Sequence, residues 1–144
     1  MGTEQEMAGV GLSWRGGGRV WWLTPLTLRD MAEFTAWAEE QFEASLTRRL
    51  ERFPEAQRSA VAERAWRDLE SGLVATRAMF TVAGAARLWW LCLRTRQPEI
   101  TPEAAAEMVS VANLREVRRL IDKLCGREAE GGGDPPAGQP PANG

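Results

Sequence analysis

Apolar positions along this chain change their spacing once, near residue 27. Before it, two short β-compatible runs, Val10 to Trp14 and Arg19 to Leu23, flank Gly16-Gly17-Gly18, the pattern of a hairpin whose loop needs positive φ. After it, Met31, Phe34, Ala38, Phe42, Leu46 and Leu50 recur every three or four residues. Glu33, Glu39, Glu40, Glu43, Arg48 and Arg49 fill much of the other side, which predicts one long amphipathic helix. Thr27 with Asp30 three residues on marks its start at about Leu28, and Pro25 discourages an earlier one.

Phe53-Pro54 interrupts that helix, and Pro54-Glu55 can open the next. The second helix presents Val61, Ala65, Leu69 and Leu73 at intervals of four, with Trp66 at the edge of the stripe. Gly72 is its weak point; continuity with a local irregularity is expected there, on toward Phe80. Val82 to Thr95 is apolar nearly all round, so it should be the central and most buried element, ended by Gln97-Pro98. Thr101-Pro102-Glu103 opens a short helix running to about Ser110. Asn113 with Glu116 caps a last one, which buries Val117, Leu120, Ile121 and Leu124 and stops at Gly126.

The expected fold is therefore mainly α: a single small helical domain of about five helices with an N-terminal β-hairpin, spanning residues 10–126. Residues 1–9 read as a flexible N-terminus. Residues 127–144, rich in glycine and proline, cannot offset their ordering entropy and read as a disordered tail.

Composition narrows the function. With 18 basic against 20 acidic residues among 144, the chain lacks the broad positive field of a phosphate-backbone binder, so nucleic acid is not the expected partner. Histidine is absent, which removes the usual near-neutral general base and the commonest imidazole ligand. Cys92 and Cys125 stand far apart in apolar helical segments and read as buried, reduced thiols. Met1 to Gly9 holds Glu4 and Glu6 and no basic-then-apolar leader, which points to the cytoplasm. Leu73 to Leu93 has spanning length, but Arg77 and Arg87 inside it would each cost about 2.5–3.5 kcal/mol near a bilayer centre. A core helix is expected there and no membrane contact.

No constellation in the chain reads as a catalytic, metal or cofactor site. Gly16-Gly17-Gly18 runs into Arg19-Val20, without the lysine and hydroxyl residue of a phosphate loop, and is simplest as a turn. Glu99, Glu103 and Glu107 share a helical spacing but have neither histidines nor a facing set of ligands. None of the serines sits in a nucleophile elbow. Arg115, Arg118 and Arg119 alternate with Glu116 and Asp122, as a solvated helix face does. The seven tryptophans remain. Neighbours on a strand point to opposite faces, so one ring of Trp21-Trp22 should enter the core and the other face outward. Trp21, Trp22, Phe80, Trp89 and Trp90 are the candidates for partner contact or for the core that supports it.

Gly18 to Asp30 resembles the opening of tail assembly chaperones of long-tailed phages and prophages, where a short hairpin leads through a Leu-x-Pro-Leu-Thr type segment into the first helix. Pro98 to Glu103, Val111 to Val117 and the closing Leu124-Cys125-Gly126 are similar to the pair of short helices that ends those proteins before a low-complexity extension. The resemblance spans Val10 to Gly126 and implies a non-enzymatic cytoplasmic assembly factor, without cofactor, that binds the tape measure protein and helps recruit tail tube subunits. A longer product made by frameshifting near Glu130-Gly131-Gly132-Gly133 also follows from it. Two other readings stay open: a minor structural virion or head-tail junction protein, and a small helical DNA-binding regulator acting through Arg115, Arg118 and Arg119. A homo-oligomer is compatible with all three.

Overall fold

A computed structural model describes residues 11–125. A two-stranded antiparallel hairpin, β1 (Leu12–Gly16) and β2 (Arg19–Leu23), is followed by six helices among the described residues: α1 (Leu28–Leu50), α2 (Glu55–Ser71), α3 (Leu73–Ala78), α4 (Val82–Arg94), α5 (Pro102–Glu107) and α6 (Leu114–Leu124). The mainly α class with an N-terminal hairpin is as expected. Val10, residues 1–9, the stop at Gly126 and the tail 127–144 lie outside the described residues.

The hairpin turns on two residues. Gly17 and Gly18 have φ of 62° and 74°, so Gly16 pairs with Arg19 and the first strand runs on to Gly16, past the expected end at Trp14. Leu12 opposes Leu23 and Trp14 opposes Trp21, which puts these four on one face, all packed into or against the core. Trp22 and its partner Ser13 share the other face.

Thr27 begins α1 as expected. Its hydroxyl accepts from the Asp30 amide, and the Asp30 carboxylate accepts from the Thr27 amide, both at 3.0 Å, closing a capping box. Phe34 and Ala38 are buried, whereas Phe42, Leu46 and Leu50 farther along the same stripe are only half-buried. That second half of α1 packs on α2, whose only buried residue is Ala65 and which adds nothing to the main core cluster.

The expected continuity through Gly72 is not what the chain does. Gly72 sits at φ 81° in the left-handed region and caps α2, so α3 begins afresh at Leu73 and six helices replace about five. The chain then turns again before α4, with Thr81 as N-cap accepting from the Gly84 amide at 2.9 Å. As expected, α4 is the central element: Ala85, Leu88, Trp89, Leu91, Cys92 and Leu93 are all at most 3% exposed.

Helix α4 leaves its last carbonyls without intrahelical partners, and the hairpin supplies some of what they lack. The Cys92 carbonyl accepts from the Thr24 amide at 2.9 Å and from the Thr24 hydroxyl at 3.1 Å. Gln97, only 5% exposed, donates its amide to the Leu93 and Trp22 carbonyls and accepts the Trp22 amide at 2.8 Å. One side chain thus pairs with both backbone groups of Trp22 at the outer edge of β2, as a residue of a third strand would.

Asn113 is the N-cap residue of α6, as expected, but its side chain turns to the preceding helix. It makes no side-chain bond to the amides of α6; its Nδ2 donates to the Met108 carbonyl and its Oδ1 accepts from the Ser110 amide, both at 2.8 Å. Satisfying the end of α5 in this way stops that helix at Glu107, short of Ser110. α6 buries Val117, Leu120 and Ile121 as expected, with Leu124 half-buried. Cys125 is exposed, so of the two thiols expected inside only Cys92 is buried.

Candidate functional site

An unfilled apolar surface lies where the α3–α4 turn meets α6. Helix α3 ends at Ala78, and Met79, Phe80 and Thr81 cross over to α4. The turn is held from the other side: Arg118 on α6 donates to the Met79 carbonyl at 2.8 Å and to the Thr81 carbonyl at 3.3 Å. With both flanking carbonyls held, the Phe80 side chain stays on the surface, 73% exposed, with the Arg118 guanidinium 5.8 Å from its ring centre. Arg118 therefore belongs to the fold, and the basic trio of α6 does not present a matched set of three guanidinium groups.

Beside Phe80 opens a groove of about 480 Å³. Ala85 and Leu88 of α4 and Ile121 of α6, each nearly inaccessible, form its base, and Met79, Phe80 and Leu114 its apolar sides. Arg118 and Asp122 line it as well. Val82, 46% exposed, continues the apolar surface at the start of α4. A groove of this size with an aromatic rim and two opposite charges suits one apolar stripe of a partner helix, the residues at three and four spacing entering and the polar face left in water. It contains no nucleophile and no paired carboxylates. Among the described residues no cluster of His, Cys, Asp and Glu could hold a metal ion, and Glu99 instead pairs with Arg19 at 3.7 Å. Burial pushes the Cys92 thiol well up, so it remains a thiol within the core.

The five candidate residues do not converge. Trp21 packs against the core, its indole donating to the Gly16 carbonyl at 3.2 Å with the Arg19 guanidinium 3.8 Å from its ring centre. Trp22, half-buried on the other face, has Arg96 at 5.3 Å. Trp89 is 0% exposed and meets Trp14 edge to face at 5.1 Å, so it supports the core and cannot touch a partner directly. Among the described residues its Nε1 is the buried side-chain donor without a hydrogen-bond acceptor. Trp90 is half-buried and donates to the Ile100 carbonyl at 3.1 Å. Only Phe80 lines the groove.

Met79, Leu88, Leu114 and Ile121 do not stand out in the sequence as site residues, and Arg118 stands out there only as solvated surface or a DNA contact. Each reads in sequence as a buried stripe position or a solvated charge, and nothing local says that three helices leave a gap between them. The all-round apolar pattern of α4 was the nearest signal, because a helix covered on every side must be covered by something.

No helix among the described residues is long and apolar enough to cross a membrane. No family model, no curated protein and no solved structure matches this chain.

Proposed function

We propose that this chain is a non-enzymatic phage tail assembly chaperone that holds an apolar helical stripe of the tape measure protein in the groove between the α3–α4 turn, α4 and α6. In this reading it acts in the host cytoplasm and helps recruit tail tube subunits to the masked client. The observation that carries the helix-binding part is the groove itself, about 480 Å³ with Phe80 73% exposed at its rim. A long helical client exposes apolar stripes that aggregate unless covered, and such a groove covers one stripe without chemistry or nucleotide. The client's identity rests on the resemblance of the hairpin-to-helix opening and of the closing pair of helices.

The test is binding between this protein and purified fragments of the tape measure protein encoded by the same genome. Phe80→Ala removes a ring that already lies largely in water, so thermal stability should hold. Burying that ring in a complex contributes about 1–2 kcal/mol, so affinity should fall about tenfold. Unchanged affinity in Phe80→Ala excludes the groove as the contact. Stoichiometric protein in purified virions excludes the chaperone role in favour of the structural one. The DNA-regulator reading is weakened by Arg118, whose donors already serve the α3–α4 turn.

A further inference from the structure

We propose that Arg87, which contacts the rings of both Trp37 and Trp90, is a docking point for a single carboxylate on a protein partner. Arg87, Trp90 and Arg94 follow one another at three- and four-residue spacing along α4, on a stripe roughly opposite the one that carries Ala85 and Leu88 into the groove. The Arg87 guanidinium lies 5.3 Å from the Trp37 ring centre and 4.6 Å from that of Trp90, and Arg94 lies 5.0 Å from Trp90 on α4's next turn. Indole and guanidinium thus alternate along the seam between α1 and α4.

The two ends of this series differ. Arg94 is answered by two carboxylates, Asp30 at 2.7 Å and Glu33 at 2.8 Å. Among the described residues Arg87 has no ion pair and no hydrogen bond, only its two ring contacts. Partial burial and the nearby charge of Arg94 both disfavour its cation, and the more distant Glu103, Glu33 and Glu40 offset this only in part. A guanidinium lying against ring faces keeps its N–H fork available, and the carboxylate is the anion that matches that fork. The same three glutamates repel a dianion more than a single carboxylate, which favours the carboxylate over a phosphate. Trp37 and Trp90, both half-buried, add apolar ring surface beside it, the mixture of aromatic and arginine that anchors protein interfaces.

The full-length protein, labelled with nitrogen-15, is titrated with the blocked peptide acetyl-Ala-Glu-Ala-amide, with its glutamine counterpart and with inorganic phosphate, following the indole N–H resonances of Trp37 and Trp90. The acidic peptide should shift both resonances saturably and bind about tenfold or more tightly than the glutamine peptide, as expected for a charge-assisted pair. Arg87→Gln should abolish the response, and Arg87→Lys, which keeps the charge but loses the fork, should weaken it severalfold. Arg87→Lys carries the test if Arg87→Gln does not fold. No response to the acidic peptide, an equal response to the glutamine peptide, tighter binding of phosphate, or a full response in Arg87→Gln each overturns the proposal. So does a shift of these resonances without peptide when Glu128, Glu130 and Asp134 are replaced together by their amides, because the chain's own C-terminal carboxylates then occupy Arg87.

Discussion

Asp30 uses its two carboxylate oxygens on different partners. One accepts the Thr27 amide that begins α1, and the other accepts Arg94 near the end of α4, whose second arm reaches Glu33. Burial raises the Asp30 pKa, but the hydrogen bonds from Thr27 and Arg94 outweigh it and hold the carboxyl below its ordinary 3.8. Glu33 is held below its ordinary 4.5, chiefly by its hydrogen bond to Arg94. Depressed folded values mean that this stabilisation is full above the ordinary values and disappears as pH falls through the lowered ones. Denaturant unfolding should therefore show stability level from pH 7 to about 5 and falling below that. In Arg94→Gln the neutral-pH stability should drop by about 1–2 kcal/mol and the acid-side fall should flatten. An acid profile identical to that of the unaltered protein would show that Arg94 does not hold these carboxyls.

At the level of elements, what could be read in advance was what neighbours in sequence decide. Thr27 and Asp30 lie three apart and meet each other, so the start of α1 was legible, as was Pro102 at the opening of α5. Gly72 reads as tolerable inside a helix because a glycine there costs only about 1 kcal/mol, and only the packing of α3 on α1 and α2 shows why the chain breaks there. Asn113 is the N-cap residue of α6 as the sequence indicates, but its side chain serves the end of α5, since either neighbour can use an amide side chain. The groove and the Arg87 seam were not legible, because Leu88 with Ile121 and Trp37 with Arg87 are brought together only by helix packing. Close approach of elements gives the sharpest prediction here. A Cβ at Gly84 would lie 1.7 Å from the Ala78 carbonyl oxygen, so the end of α3 touches the first turn of α4 backbone to backbone. Gly84→Ala should lower stability by about 2–3 kcal/mol, although alanine is the better helix former, as read by the denaturant midpoint. A gain in stability would refute that contact.

Across the whole molecule, α4 is the axis. The hairpin closes its C-terminal end, α1 packs along one side and α6 along another, and both proposed contact surfaces are built on it. Against this centre α2 stands apart, with one buried residue and no share in the main core cluster. Hydrogen exchange should find the amides of 55–71 releasing their protons well before those of 82–94, by a protection difference of about tenfold or more. Equal protection along both helices would mean that the chain opens only as a whole.

That uneven burial divides the molecule into a stiff part and a yielding one. The groove base draws its rigidity from α4 and α6, whereas α2 shares no residue with the main core cluster, so α2 can loosen without opening that base. On the proposed function, that division makes a clamp with a stiff jaw and a yielding handle, the handle absorbing the crowding around whatever the jaw holds.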